Sequence, residues 1–171
     1  MNLIDILRIQ AALGVTLPAP YRAFLLAYPA ILRETQDAVG QSLSERHLLA
    51  DADAVIALNR ELGLPGDRGL LAVGDDGCGN WVAVGLDGVD ALWSFDHEVG
   101  GVTSNGRTLE TEVWWQVANA LTFSSDEAAE EGRWPEAEEH ACRAVDAWRA
   151  YGHAGLLRLA EQALSELRRR D

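Results

Sequence analysis

The sequence LLAVGDDGCGNWVAVGL, residues Leu70–Leu86, gives the clearest indication of how this chain folds. Its two apolar runs flank the turn sequence DDGCGN, and this is the pattern of a β-hairpin. In the second run, Trp81–Leu86, the side chains alternate between two faces with the period of a strand. A third apolar run, Ala91–Phe95, follows closely. We therefore predict a small antiparallel sheet formed by Leu70–Val73, Trp81–Leu86 and Ala91–Phe95.

Helical periodicity flanks this sheet on both sides. Apolar residues at helical spacing, with proline, glycine or a capping residue at the ends, predict helices over Leu3–Leu13, from Pro18 or Pro20 to Pro29, over about Asp51–Leu62, and over Thr108–Phe123. The segment Ala30–Ala50 fits a strand, a short helix or a loop. Turns are expected at Gly100, Gly101, Asn105 and Gly106. Mixed helices and antiparallel strands in this order predict an α+β fold.

The pattern becomes purely helical after Ser124 and Ser125, which we take as a domain boundary. We predict an α+β domain over residues 1–123 and a C-terminal helical hairpin over 124–171 that docks on it. Small residues in this second part, namely Gly132, Ala137, Ala141 and Ala144, are spaced as in part of a tetratricopeptide repeat. An ordinary helical hairpin explains the same spacing equally well.

Acidic residues dominate the charge of the chain. Its 171 residues include 27 acidic and 14 basic ones, for a formal net charge of -13. Such a charge repels nucleic acid and anionic lipid and attracts basic partners, although solubility alone also explains it. Every basic residue is arginine, which excludes Schiff-base chemistry and the lysine of a phosphate-binding loop. No apolar run approaches the roughly 20 residues that a membrane span needs.

The sequence also predicts a cytoplasmic location. Asp5 and Arg8 interrupt what would be the apolar core of a secretory signal, and no basic leader precedes them. Cys78 and Cys142 lie far apart and outside any paired spacing, as expected of free thiols in a reducing compartment.

No set of residues in the sequence indicates catalysis or metal binding. Asp75, Asp76 and Asn80 lack the order of a calcium loop, and Leu86 occupies the position of its bidentate glutamate. We expect the two aspartates to accept hydrogen bonds from turn amides instead. In a strand, His97 points away from Asp96 and Glu98, so these residues predict a turn network or a partner-facing polar patch.

The remaining polar residues do not form a site either. His47, His140 and His153 have no spacing that brings them to one ion, and Glu136 with His140 is typical of a solvated pair on a helix face. No G-x-S-x-G motif is present. We therefore expect no catalytic residue, no metal and no cofactor.

Trp115 occupies an unusual position on the predicted helix Thr108–Phe123. Adjacent residues of a helix lie about 100° apart, so with Trp114 on the apolar face Trp115 falls near Thr111 and Asn119. It packs against the C-terminal helices or forms an exposed aromatic anchor for a partner.

The order of these elements resembles the SUKH superfamily, the Smi/Knr-type domain, over about the first 123 residues. The matching features are an opening helix, the phrase LGVTLPAPYRAFLLAYP (Leu13–Pro29), the hairpin LLAVGDDGCGNWVAV, a strand ending in Asp96, His97 and Glu98, and a final helix. The resemblance implies an α+β fold with several helices around an antiparallel sheet. The helical tail is not part of the usual pattern.

The resemblance implies a protein-binding function. Bacterial members are best known as immunity proteins that neutralise a toxin, commonly a nuclease or deaminase, and eukaryotic members look like hubs in cell-wall signalling. We therefore expect a non-enzymatic module that binds a basic partner, and neither nucleic acid nor membrane. An endogenous scaffold or adaptor is the alternative. The expected contact residues are Asp75, Asp76, Asp96 and Glu98, with Trp115 as a second anchor.

Overall fold

The computed structural model describes residues 1–39 and 47–169, and it shows an α+β protein. The helices are α1 (Leu3–Leu13), α2 (Ala19–Leu26), α3 (Ala30–Val39), α4 (Ala52–Glu61), α5 (Leu109–Glu130), α6 (Trp134–Tyr151) and α7 (Ala154–Leu167). The strands are β1 (His47–Leu48), β2 (Leu70–Asp75), β3 (Trp81–Gly85), β4 (Leu92–Asp96) and β5 (Gly101–Ser104). They form one antiparallel sheet in the order β1-β2-β3-β4-β5. The predicted fold class is confirmed.

The sheet contains the three predicted strands and two more. The prediction of a turn at Gly101 was wrong, because only Gly100 has turn geometry (φ 72°) while Gly101 begins β5. The segment Ala30–Ala50, for which a strand, a helix and a loop were all open, contains helix α3 and the short strand β1. Residues 40–46 of that segment lie outside the described residues.

Capping explains why α1 and α4 begin where they do. The Asn2 side chain accepts hydrogen bonds from the amides of Ile4 (2.8 Å) and Asp5 (3.1 Å), and the Asp5 carboxylate in turn accepts one from the Asn2 amide (3.0 Å). This reciprocal capping satisfies amides that the first helical turn leaves without partners. Asp51 caps α4 through the amides of Asp53 (2.9 Å) and Ala54 (3.0 Å).

The described residues divide into two compact units. Those within Met1–Pro29 and Glu45–Glu110 form the first unit, which holds the sheet with α1, α2 and α4. Those within Ala30–Ser44 and Thr111–Asp171 form the second, which holds α3, most of α5, α6 and α7. The division into a domain over 1–123 and an extension over 124–171 stays a prediction.

Helix α5 is longer than the sequence predicts. We expected it to end at Phe123, but it continues to Glu130 through Ser124 and Ser125, both of which are buried. The Ser125 hydroxyl donates to the carbonyl of Ala137 on α6 (2.8 Å), and Ser124 Oγ lies 2.9 Å from His140 Nδ1. His140 is therefore a buried residue, and its expected role as part of a solvated pair was wrong.

Helices α6 and α7 form the predicted helical hairpin. Gly152 (φ 84°) ends α6 in the left-handed region that favours glycine, and α7 packs back on α6. Near the other end of the pair, Arg168 Nε donates to Glu138 Oε1 (2.6 Å). A hydrogen bond from Arg133 lowers the pKa of Glu136 at the start of α6. The likeness to a tetratricopeptide repeat stays a prediction.

Candidate functional site

The turn between β2 and β3 is held by its own aspartates. Asp75 Oδ1 accepts the amide of Gly77 (2.9 Å), and Asp76 Oδ1 accepts the amides of Cys78 (2.8 Å) and Asn80 (3.1 Å). The Asn80 side chain also donates to Asp76 Oδ2 (2.6 Å). The prediction that these two aspartates accept hydrogen bonds from turn amides is thereby confirmed.

The turn between β4 and β5 is built on the same principle. Asp96 Oδ1 accepts the amides of Glu98 (2.9 Å) and Val99 (3.4 Å), and the Asp96 carbonyl accepts the amide of Gly100 (2.8 Å). Glu98 and Val99 are exposed at the tip of this turn, and the Val99 side chain is 80% exposed. The predicted turn network at Asp96, His97 and Glu98 is confirmed.

Asn80 joins the two turns at one end of the sheet. Its Oδ1 accepts the amide of His97 (2.9 Å) and lies 2.9 Å from His97 Nδ1. Gly79, next to Asn80, has a positive φ of 99°, a backbone conformation that favours glycine. The structure therefore brings Asp75, Asp76, Asp96 and Glu98 together on two linked turns, which we call the acidic sheet end.

The charges of the acidic sheet end are partly available to a partner. Among residues 1–39 and 47–169, no ion pair involves Asp75, Asp96 or Glu98. Glu98 is exposed, and Asp75 and Asp96 are partly exposed. Because one oxygen of each aspartate is held by turn amides, these carboxylates are fixed in place before any partner arrives.

An aromatic row runs across the first unit beside the acidic sheet end. In the strand register, Asp75 lies opposite Trp81, Trp81 opposite Phe95, and Phe95 opposite Val102. Directly opposite residues of antiparallel strands share a face, so these four side chains form one row. The rings of Trp81 and Phe95 stack with centroids 5.1 Å apart and planes 11° apart.

A pocket of about 440 Å3 opens onto the aromatic row. Its walls come from the connection between α4 and β2 and from the stacked rings, and they include Leu62, Leu64, Pro65, Arg68, Trp81 and Phe95. This pocket was not predicted from the sequence. The alternation of β3 places Trp81 on a face, but nothing local in the sequence shows that the α4–β2 connection lies over that face.

Trp115 belongs to the second unit and is partly exposed on α5. Its carbonyl accepts a hydrogen bond from the Asn119 side chain (2.8 Å), one helical turn later, so these two residues are neighbours as predicted. Its proposed contact with a partner therefore concerns a unit other than the one that holds the acidic sheet end.

The described residues contain no group of three or more histidine, cysteine, aspartate or glutamate side chains that could hold a metal ion. They also contain no helix that is long and apolar enough to cross a bilayer.

These features define a small α+β domain with a meander sheet, capped helices and a polar sheet end. The model of the SMI1 / KNR4 family (SUKH-1) matches residues 2–104, which include the sheet, both turns and the pocket. The chain belongs to this family, and the resemblance found in the sequence is confirmed. No curated protein and no solved structure gives a significant match.

Proposed function

We propose that this chain is a non-enzymatic protein-binding module, and specifically a bacterial immunity protein of the cytoplasm. Its partner is a basic toxin domain of nuclease or deaminase type, which it neutralises by occluding the toxin's surface. Membership of the SMI1 / KNR4 family supports the protein-binding role, and the net charge of -13 supports a basic partner. The proposal requires no catalytic residue, metal or cofactor.

The observation that carries this proposal is the pair of turns linked through Asn80. They present Asp75, Asp96 and Glu98 on a frame whose hydrogen bonds are already made. Binding therefore costs little ordering of these residues, and their charges attract a cationic surface from a distance. Asp76 supports the frame through both of its oxygens. Trp115 is proposed as a second, aromatic contact on the other unit.

Co-expression with neighbouring genes tests the function directly. The full chain is produced together with each protein encoded beside its gene, and both growth and co-purification are measured. We expect one neighbouring protein to stop growth when produced alone, and to be bound and made harmless by this chain. If no neighbouring protein is both toxic alone and neutralised in the complex, the immunity proposal is wrong.

The same experiment separates the alternative, an endogenous scaffold or adaptor of Smi/Knr type. An adaptor would co-purify with a protein that does not inhibit growth, and its absence would not expose the cell to a toxin. Deleting residues 124–171 is a poor way to distinguish the two, because the cut falls inside α5 and removes its last turns together with the buried contact between Ser124 and His140. The full chain is the proper reagent.

A further inference from the structure

An irregularity in β2 determines which face of the sheet Asp75 occupies. The pairing of β2 with β3 shifts by one residue between Ala72 and Gly74, which is a β-bulge. Ala72 lies opposite Ala83, on the same face as Trp81, and in a regular strand Asp75 would then point to the other face. The bulge adds one residue and returns Asp75 to the face of Trp81. Bulges that redirect a side chain in this way are frequent next to functional sites.

Asp75 therefore stands beside an aromatic surface and keeps one oxygen for a ligand. Directly opposite residues on one face of a sheet have Cβ atoms roughly 5 Å apart, so its carboxylate borders the stack of Trp81 and Phe95. Oδ1 is held by the Gly77 amide, while no hydrogen bond or ion pair to Oδ2 is found among the described residues. Trp81 is 4% exposed, so the half-buried Phe95 supplies more of the open ring surface.

The volume and walls of the neighbouring pocket suit a long side chain. Its volume of about 440 Å3 lies within the roughly 300–1,000 Å3 typical of ligand sites. Leu62, Leu64 and Pro65 offer apolar walls for an aliphatic stem, and the partly exposed Phe95 ring offers a flat face for a planar group. Asp96 and Glu98 on the adjoining turn make the surroundings acidic.

We propose that this pocket receives the guanidinium group of an arginine supplied by the partner, a statement that rests on the protein-binding function proposed above. A guanidinium group is planar, stacks on aromatic faces, and forms paired hydrogen bonds with a carboxylate. The ammonium group of lysine is not planar and cannot offer two parallel N–H donors to a carboxylate. Asp75 does not line the pocket, but its position opposite Trp81 places it beside the wall that Trp81 and Phe95 form. The Phe95 ring and the Asp75 carboxylate at the edge of the pocket thus select arginine over lysine, and they form the anchor at the centre of an otherwise electrostatic interface.

Arg68 allows a test of whether the pocket binds a cation or an anion. It lines the same pocket, is exposed, and would repel a second guanidinium group. If the occupant is cationic, removing Arg68 strengthens binding. If the occupant is an anion that Arg68 attracts, the same change weakens binding. The two possibilities predict effects of opposite direction for a single substitution.

The experiment uses the full chain and two acetylated probe peptides, hexa-arginine and hexa-lysine, followed by NMR of backbone amides and indole groups. We expect saturable shifts at the Trp81 indole, Gly79 and Phe95, with hexa-arginine bound about five-fold more tightly than hexa-lysine. Asp75→Asn, which keeps the oxygen that accepts the Gly77 amide, should lower the arginine affinity about five-fold. Arg68→Ala should raise it about two- to five-fold.

Matched controls carry the same charge changes elsewhere. Asp87→Asn alters another aspartate whose Oδ1 holds a turn amide, at the opposite end of the sheet, and Arg22→Ala removes an exposed arginine of α2. Both should leave the affinity for hexa-arginine within about two-fold of the original, because salt screens the interaction between exposed charges that lie far from the bound peptide. If Asp75→Asn disturbs the turn, Phe95→Leu replaces it and should also reduce the preference for arginine.

Three results would overturn the proposal: equal affinity for both peptides, shifts that avoid Trp81 and Phe95, or weaker arginine binding by the Arg68→Ala variant. None of these contradicts the proposed function, which is judged separately by neutralisation of a toxic neighbour. Conversely, selective binding of arginine without protection against any toxin would support the pocket proposal and contradict the immunity role.

Discussion

Asn59 shows how one side chain connects the helical layer to the sheet. It is fully buried on α4, and its amide nitrogen donates to the carbonyl of Ala72 (2.7 Å) while its oxygen accepts the Ala72 amide (2.8 Å). In the register of β2 with β3, the Ala72 amide and carbonyl point away from β3. On the other side of β2, strand β1 pairs with Gly74 and Asp75 and not with Ala72. Asn59 therefore takes the place of a neighbouring strand where β1 does not reach, next to the bulge that directs Asp75.

We predict that Asn59→Ala destabilises the protein strongly. Two buried backbone groups of Ala72 lose their partners, so the free energy of unfolding should fall by about 3 kcal/mol. Asn119→Ala is the matched control, because its side-chain amide bonds the Trp115 carbonyl of its own helix and no other group among the described residues, and its side chain is partly exposed. It should cost less than about 1 kcal/mol. Urea unfolding of both variants gives the comparison, and equal losses would contradict this role of Asn59.

For individual helices and strands, the sequence predicts features that depend on neighbouring residues and misses those that depend on distant partners. The hairpin Leu70–Leu86 was predictable because glycine, aspartate and alternating apolar residues all indicate the same structure. Strand β5 was not, since the sequence GVTS has little pattern of its own and pairs only because β4 lies beside it. The hydrogen bond between Asn80 and His97 joins residues that are 17 positions apart, and no local signal marks it.

The end of α5 was mispredicted for a related reason. Serine hydroxyls compete with the helical backbone for hydrogen bonds, so Ser124 and Ser125 indicate a helix end when only the sequence is considered. In the structure both hydroxyls face α6 and bond there, to His140 and to the Ala137 carbonyl. Tertiary contacts thus override the local preference and extend the helix to Glu130.

We predict that the same substitution has opposite effects in two helices. Ser124→Ala leaves the buried His140 Nδ1 without its partner and should lower the free energy of unfolding by about 1–2 kcal/mol. Ser165→Ala changes an exposed serine of α7 and should raise it by up to about 0.5 kcal/mol, because alanine is the better helix former. Thermal unfolding followed by circular dichroism measures both changes. A stabilising effect of Ser124→Ala would show that the contact with His140 contributes nothing.

The net charge of the chain can be read directly from its sequence, but the sequence alone does not show where on the surface the charged groups lie. A net charge of -13 on 171 residues sets the long-range field, whereas the turns decide where carboxylates are held. The long-range electrostatic field and the carboxylates held by the turns affect binding differently. Long-range charge acts mainly on the association rate, while contacts that are closed to solvent act mainly on the dissociation rate.

We therefore predict the salt dependence of binding to the partner identified by co-purification. Raising the ionic strength from 0.01 M to 0.15 M shortens the Debye length from about 30 Å to about 8 Å, and the association rate should fall at least about ten-fold. The dissociation rate should change much less. Asp75→Asn with Glu98→Gln should lower the association rate and weaken its salt dependence. Stopped-flow fluorescence of the mixed proteins measures these rates.

The control for this prediction removes two charges from another part of the first unit. Asp87→Asn with Glu110→Gln gives the same net charge as the test variant, and both residues are exposed. If the acidic sheet end faces the partner, the test variant loses more of the association rate than the control, since attraction between charges weakens with distance. If the two variants lose equal amounts, net charge alone steers the encounter. The acidic sheet end would then have no special part in binding.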